Sequence, residues 1–120
     1  MKAKKALEKE LLSLLLPEGL TELFHVDRIA KKEGEIHLYL SQNNTPPAGH
    51  TEGSLLSKGF FDEITVRDFP LRGKACFLHL KRRKWVDKTT GTVIFHDWNQ
   101  VAEGTRMTTE LAAFLKGFDR

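Results

Sequence analysis

The stretch from Lys74 to Val86, KACFLHLKRRKWV, constrains this chain more than any other. It opens as a buried strand and runs straight into four consecutive cations and a tryptophan. Strand alternation sets Ala75, Phe77, His79, Lys81, Arg83 and Trp85 on one face and Cys76, Leu78, Leu80, Arg82, Lys84 and Val86 on the other. Both faces are apolar at the start and cationic later. The reading is therefore one long strand that leaves the core and projects. DKTTG supplies a hairpin turn, with Asp87 able to cap it and Gly91 free to take positive φ, and TVIFHDW returns. The pair is a β-ribbon with a basic end.

Net charge agrees with that focus. Met1 to Ser57 holds 7 Lys and Arg against 8 Asp and Glu, Lys58 to Arg106 holds 10 against 6, and Met107 to Arg120 holds 2 against 2. All the excess basicity lies in the middle segment, where an anionic partner would be met. With 120 residues, 40% hydrophobic and 29% charged, the sequence reads as a single globular domain over 1–120. A lone cysteine, Cys76, excludes an internal disulfide and a cysteine-based zinc site, and fits a reducing, cytoplasmic setting. The leucines near the N-terminus are interrupted by Glu8, Lys9, Glu10 and Ser13, so neither a signal peptide nor a membrane span is expected.

Around the ribbon the pattern is mixed. Apolar residues at 3, 6, 7, 11, 14 and 15 give an amphipathic helix from Ala3 to Leu16 that ends at Pro17, and Leu12 and Leu16 widen its stripe. That surplus needs a cover, either this domain's own sheet or a second chain, so self-association through the Leu-rich helix is one expectation. A short helical turn is expected at Glu18 to Phe24. HVDRIAKKEGEIHLYLSQ reads as a hairpin turning at Lys32, Glu33 and Gly34, with Ile36, Leu38 and Leu40 inward. Gln42 to Gly53 is a Pro- and Gly-rich surface loop, and Ile64, Val66 and Asp68 alternate as a third strand. Pro70 and Gly73 turn the chain into the basic strand. Thr108 is the expected N-cap of a last helix, with Leu111, Ala112, Leu115 and Phe118 inward and Gly117 as C-cap. The fold class is α+β: an N-terminal helix, an antiparallel sheet of about five strands ending in a basic β-ribbon, and a C-terminal helix.

Four adjacent cations repel one another, and a ribbon offers little to offset that. A phosphate backbone would, and a ribbon is narrow enough for a major groove. Trp85 adds an aromatic face for stacking on a base or under an arginine. The competing reading is a solvated strand end whose lysines guard an edge against aggregation.

Family resemblance favours the first. DFPLRGK, the aromatic-basic strand, DW at Asp97–Trp98, GTRMT at Gly104–Thr108, the LLPEGL segment and the PP-containing loop together resemble the N-terminal region of ISAon-family insertion-sequence transposases, relatives of the ISL-type group, over nearly the whole chain. Those relatives carry a small zinc ribbon with cysteine pairs here, whereas WVDKTTGTVIFHDW has none, so the resemblance implies a degenerate ribbon with no metal and no cofactor. The reading brings His79 and His96 near each other across the two strands, and two histidines alone make a poor metal site. The family's DDE catalytic domain would follow the region present, so the chain is expected to lack enzyme activity. It is expected instead to serve as the DNA-binding part of a split or truncated transposase. Its partners would be double-stranded DNA at the terminal inverted repeats and a separate catalytic transposase subunit, in a nucleoid-associated location.

The residues assigned to DNA are Lys81, Arg82, Arg83, Lys84, Trp85 and Lys88 on the ribbon, Arg72 and Lys74 at the strand's entry, and Arg106 before the last helix. Arg106 either holds a phosphate near a helix N-terminus or pairs with Asp97 or Glu103. Two other readings stand beside this one: a non-catalytic adaptor that docks the catalytic subunit through its helices, and a small RNA-binding protein using the same ribbon.

Overall fold

The structure, a computed structural model, describes residues 2–50, 53–96 and 107–118. It is α+β, with elements α1 (Lys2–Leu15), α2 (Leu20–Leu23), β1 (Phe24–Lys32), β2 (Glu35–Gln42), β3 (Leu55–Phe60), β4 (Ile64–Leu71), β5 (Lys74–Lys81), β6 (Arg83–Asp87), β7 (Val93–Ile94) and α3 (Thr109–Phe118).

The strands form two sheets rather than one, ordered β1-β2-β5-β4 and β3-β6-β7. Two hairpins lie side by side in the first. Glu33 and Gly34 turn β1 into β2, and Gly34 takes a positive φ of 75°. Arg72 and Gly73 turn β4 into β5 with φ of 54° and 79°, the mirror-image turn geometry that matches strand twist. The inner strands β2 and β5 run parallel, with Leu38 opposite Leu78 and Leu40 opposite Leu80, so the expected all-antiparallel sheet is corrected. Parallel neighbours require a long connection. Here the chain between them visits the second sheet as β3 and returns as β4.

One face of the first sheet carries the core. Leu38, Leu40, Val66, Cys76, Leu78 and Leu80 meet Leu16 and Leu20 from the helical N-terminal segment and Phe24 at the start of β1. The alternation read from Ile36 to Leu40 and from Cys76 to Leu80 is what places them there. α1 contributes less than its stripe promised. Leu12 and Leu16 reach the core, while Leu7, Leu11 and Leu14 remain 67%, 58% and 78% exposed. The residues that widened the stripe do the packing, and the stripe itself stays open.

The long strand is also corrected, because it breaks at Arg82 and its halves join different sheets. β5 buries the even positions 76, 78 and 80, whereas β6 buries the odd position Trp85. One continuous strand would hold those positions on opposite faces, and the interruption uncouples the two phases. β6 lies between β3 and the short β7.

α3 is anchored by its cap. The Thr108 hydroxyl accepts from the Leu111 N–H at 3.3 Å and donates to Asp68 Oδ1 at 2.9 Å, and the Thr108 N–H donates to the Arg67 carbonyl. Leu111 is buried and Ala112 half-buried, but Leu115 is exposed. Gly117 lies within the helix and does not end it.

Candidate nucleic-acid interface

The cations of the KRRK run gather where the chain crosses between sheets. The Phe61 N–H donates to the Arg82 carbonyl at 2.8 Å, which fixes the crossing beside the Phe60–Phe61 doublet at the end of β3. The Arg82 guanidinium lies 5.3 Å and the Lys84 ammonium 5.1 Å from the Phe61 ring centroid, and Arg83 stands 4.5 Å from that of Phe60. Phe61 is in turn held edge-on by Phe95 at 5.6 Å. The negative faces of these rings offset part of the repulsion within the run.

The cations differ in what else they do. Arg83 is built into the fold: its backbone N–H donates to Gln42 Oε1 at 2.7 Å, its Nε–H to the Gln42 carbonyl at 3.3 Å, and its Nη1 to Ser57 Oγ at 3.1 Å. Lys81 is exposed, and Arg82 and Lys84 are half-buried. The Arg82 Nε–H is enclosed and meets no acceptor among the described residues. Nor, among those residues, does any lysine or arginine have a carboxylate within 4.0 Å; the ion pairs found are His25–Asp27, His37–Glu35 and His79–Glu63.

Trp85 is corrected outright. It is 1% exposed, its Nε1–H donates to Asn44 Oδ1 at 3.0 Å, and His96 packs edge-on at 5.6 Å. His96 also meets the Thr45 carbonyl at 2.8 Å, so the Pro-rich loop closes over the indole. A ring so enclosed cannot stack on a base; it is the pillar of the second sheet. His79 and His96 have separate partners, His79 pairing with His37 instead.

Lys88 stands exposed in the expected turn, where Asp87 Oδ1 accepts from the Thr89 N–H at 2.8 Å and Gly91 takes φ 75°. Arg72 and Lys74 are exposed at the opposite end of β5, and seven residues of strand separate Lys74 from Lys81 by roughly 23 Å. They form a second, separate basic end. Arg106 lies outside the described residues, as do Asp97 and Glu103.

Sequence reasoning missed the aromatic seat. Its signal was the FF doublet itself, which follows Lys58 and Gly59 and which a strand reading of β3 would have turned toward the basic run. It also missed the contact of His37 with His79, which only the parallel pairing of β2 and β5 creates. Among the described residues no group of three or more histidine, cysteine or acidic side chains is arranged to hold a metal, and no helix is long and apolar enough to cross a membrane. Cys76 is buried at the sheet centre, and burial together with the nearby Asp68 carboxylate pushes its thiol up to about 11. Comparison with known proteins found no matching family model, no matching curated protein and no matching solved structure.

Proposed function

We propose that this chain binds duplex DNA through the crossing from β5 to β6, with Lys81, Arg82 and Lys84 as phosphate contacts and Lys88 extending them along the hairpin. The observation that carries the reading is a run of four cations, three of them seated on Phe60 and Phe61, with no carboxylate within 4.0 Å of any of the four among the described residues. Such a cluster is offset only in part by aromatic faces, and phosphates supply the rest while releasing condensed counterions. Arg83 acts as a positioning residue, since its hydrogen bonds to Gln42 fasten the crossing to the first sheet. Following the resemblance, the DNA would be the terminal inverted repeats of an insertion element, cut by a separate DDE subunit, and the protein would be found with the nucleoid.

Fluorescence anisotropy on a labelled duplex across a salt series tests this. Replacing Lys81, Arg82 and Lys84 by alanine removes three contacts, so the slope of log K against log salt should flatten by about 2.7, at about 0.9 per phosphate. An unchanged slope in a folded variant refutes the interface. Single-stranded RNA that outcompetes the duplex would transfer the surface to RNA.

A second reading rests on a different observation, the exposed Leu7, Leu11 and Leu14 of α1. One turn apart, they form an apolar stripe suited to a second helix, from another copy or from the catalytic subunit. Light scattering on Leu11→Asp beside the unaltered chain tests the self-associating form: equal masses remove it.

A further inference from the structure

The outer face of the first sheet, turned away from the leucine core, carries a chain of polar contacts that DNA binding does not use. Pairing sets His37 opposite Phe77, Tyr39 opposite His79 and Thr65 opposite His79. Planar groups then stack in order: Phe77 on His37 at 5.0 Å, His37 on His79 at 5.0 Å, His79 on Tyr39 at 4.2 Å, and the Arg28 guanidinium over Tyr39 at 3.6 Å. Inside the stack, His37 Nδ1 lies 2.8 Å from His79 Nε2, His37 Nε2 lies 2.9 Å from Glu35 Oε1, and His79 Nδ1 lies 3.0 Å from Thr65 Oγ1. Each imidazole is only 12% exposed, so neighbouring side chains rather than water dictate where its protons sit.

Those distances fix a direction. An ionised carboxylate only accepts, so His37 carries its proton on Nε2. Neutral His37 then accepts at Nδ1, and His79 must donate from Nε2. That leaves His79 Nδ1 as an acceptor, which the Thr65 hydroxyl fills. The chain runs Thr65 to His79 to His37 to Glu35, each donating to the next.

A single added proton has a place in this chain. It lands on His79 Nδ1, the His79-to-His37 bond survives, and Thr65 must turn from donor to acceptor. The same nitrogen has Glu63 Oε1 at 3.7 Å, ready to close on the new charge. A second proton has no place, because it would set N–H groups on His37 Nδ1 and His79 Nε2 against each other across 2.8 Å. The geometry points to a one-proton switch: the His37–His79 pair titrates as a unit, one proton reverses Thr65, and a second parts the imidazoles and loosens the contact of β2 with β5.

The groups facing the pair come from every strand of the sheet: Arg28 and Lys32 from β1, Glu35 and Tyr39 from β2, Thr65 and Arg67 from β4 with Glu63 just before it, and Lys81 from β5. Burial chiefly, then His37, hold His79 below the usual imidazole range; Glu63 opposes this, and Arg28 and Lys32 add to it. A base depressed in the folded state takes its proton at higher pH when unfolded. The stability it contributes is therefore full above about pH 6.5 and falls as the pH drops toward the folded value.

Nitrogen-15 correlation spectra of the histidine rings in the full chain, followed from pH 8 downward with urea unfolding alongside, test the switch. At pH 8 both rings should be protonated on Nε2 alone. On acidification both should move with one shared midpoint, while the unfolding constant rises by up to about a hundredfold per pH unit as long as the folded pair holds no proton against two in the unfolded chain, and by about tenfold per unit once it holds one. Thr65→Val, which removes the hydroxyl that would accept from the protonated ring and leaves an apolar group beside it, should shift that midpoint downward. A ring protonated on Nδ1 at pH 8, two independent midpoints, or a midpoint unmoved by Thr65→Val would each overturn the proposal.

Discussion

The two sheets share one continuous segment, β5 running into β6, and use it in opposite ways. β5 buries Cys76, Leu78 and Leu80 in a layer shared with β2 and β4, whereas β6, starting two residues after β5 ends, buries Trp85 alone and gives its other positions mostly to charge. The first sheet has helical segments over its core face; the second has a loop folded over one indole. Cations are tolerated on the second because little else there must be dehydrated, and because Phe60 and Phe61 give them a face to rest on. Apolar burial and exposed charge are thus separated along the chain, with Arg82 as the boundary.

The largest effects should come from removing each sheet's anchor. Trp85→Ala should cost about 3–5 kcal/mol and Leu78→Ala about 2–5 kcal/mol, by the usual range for buried truncations. The distinction lies in where the loss is felt. Hydrogen exchange in the tryptophan variant should show lost protection in β3, β6 and β7 with β2 and β5 still protected, while the leucine variant should weaken both sheets. If β2 and β5 open together with β6 after Trp85→Ala, the sheets are one cooperative unit and the division at Arg82 is only geometric.

A smaller effect should follow from cutting the tie between them. Gln42 is buried, and its side-chain carbonyl takes the Arg83 backbone N–H. Gln42→Leu keeps most of the volume and strands that donor, at a cost of about 1–3 kcal/mol in urea unfolding. If Arg83 positions the crossing through this tie, duplex affinity at fixed salt should fall as well; unchanged affinity in a folded variant would mean that the tie serves stability alone.

How far the sequence could be read differs between the sheets for the same reason. Alternation at Ile36–Leu40, Ile64–Asp68 and Cys76–Leu80 announced the first sheet, since burial of one face writes a period of two. Turn chemistry at Glu33–Gly34 and Asp87–Gly91 and the Thr108 cap were equally local and equally legible. The second sheet writes no such pattern. LLSKGF has one half-buried residue, Leu55, followed by five exposed ones, and nothing local says that it pairs with RKWVD. Trp85 reads as a surface aromatic among cations until the loop carrying Asn44 is seen to cover it. The break at Arg82 is a long-range choice, made by where Leu80 and Trp85 find neighbours. The basic character of the candidate site was legible; the aromatic seat, the role of Arg83 and the parallel pairing behind His37 and His79 were not.

A chemical probe sharpens the picture of the first sheet. Its thiol is buried and held up to about 11, so at pH 8 Cys76 should react with a disulfide reagent far more slowly than a free thiol, which has a pKa of about 8.5. The rate should rise with urea in step with unfolding. Fast reaction in native buffer would show that the sheet centre opens locally, and would bring its behaviour close to that of the second sheet.

The smallest expected effect asks whether the leucine layer tolerates charge at all. Asp68 is buried on β4; burial raises its pKa, hydrogen bonds from Phe69 and Thr108 oppose the rise, and Glu110 adds to it. A carboxyl raised in the folded state binds its proton more tightly there than in the unfolded chain. Its ionised form is therefore a cost at neutral pH, and stability should grow as the pH falls through the folded value toward the unfolded one, about 3.9. Asp68→Asn keeps an oxygen for the Thr108 hydroxyl and removes the charge. It should raise the urea midpoint at pH 7 by the equivalent of at most about 1 kcal/mol, and the gain should vanish at low pH where the native carboxyl is protonated. A loss at pH 7 would reverse the conclusion: the ionised oxygen would then be worth more to the Phe69 N–H and to the positive end of α3 than it costs to bury, and charge would be part of what holds the first sheet to its C-terminal helix.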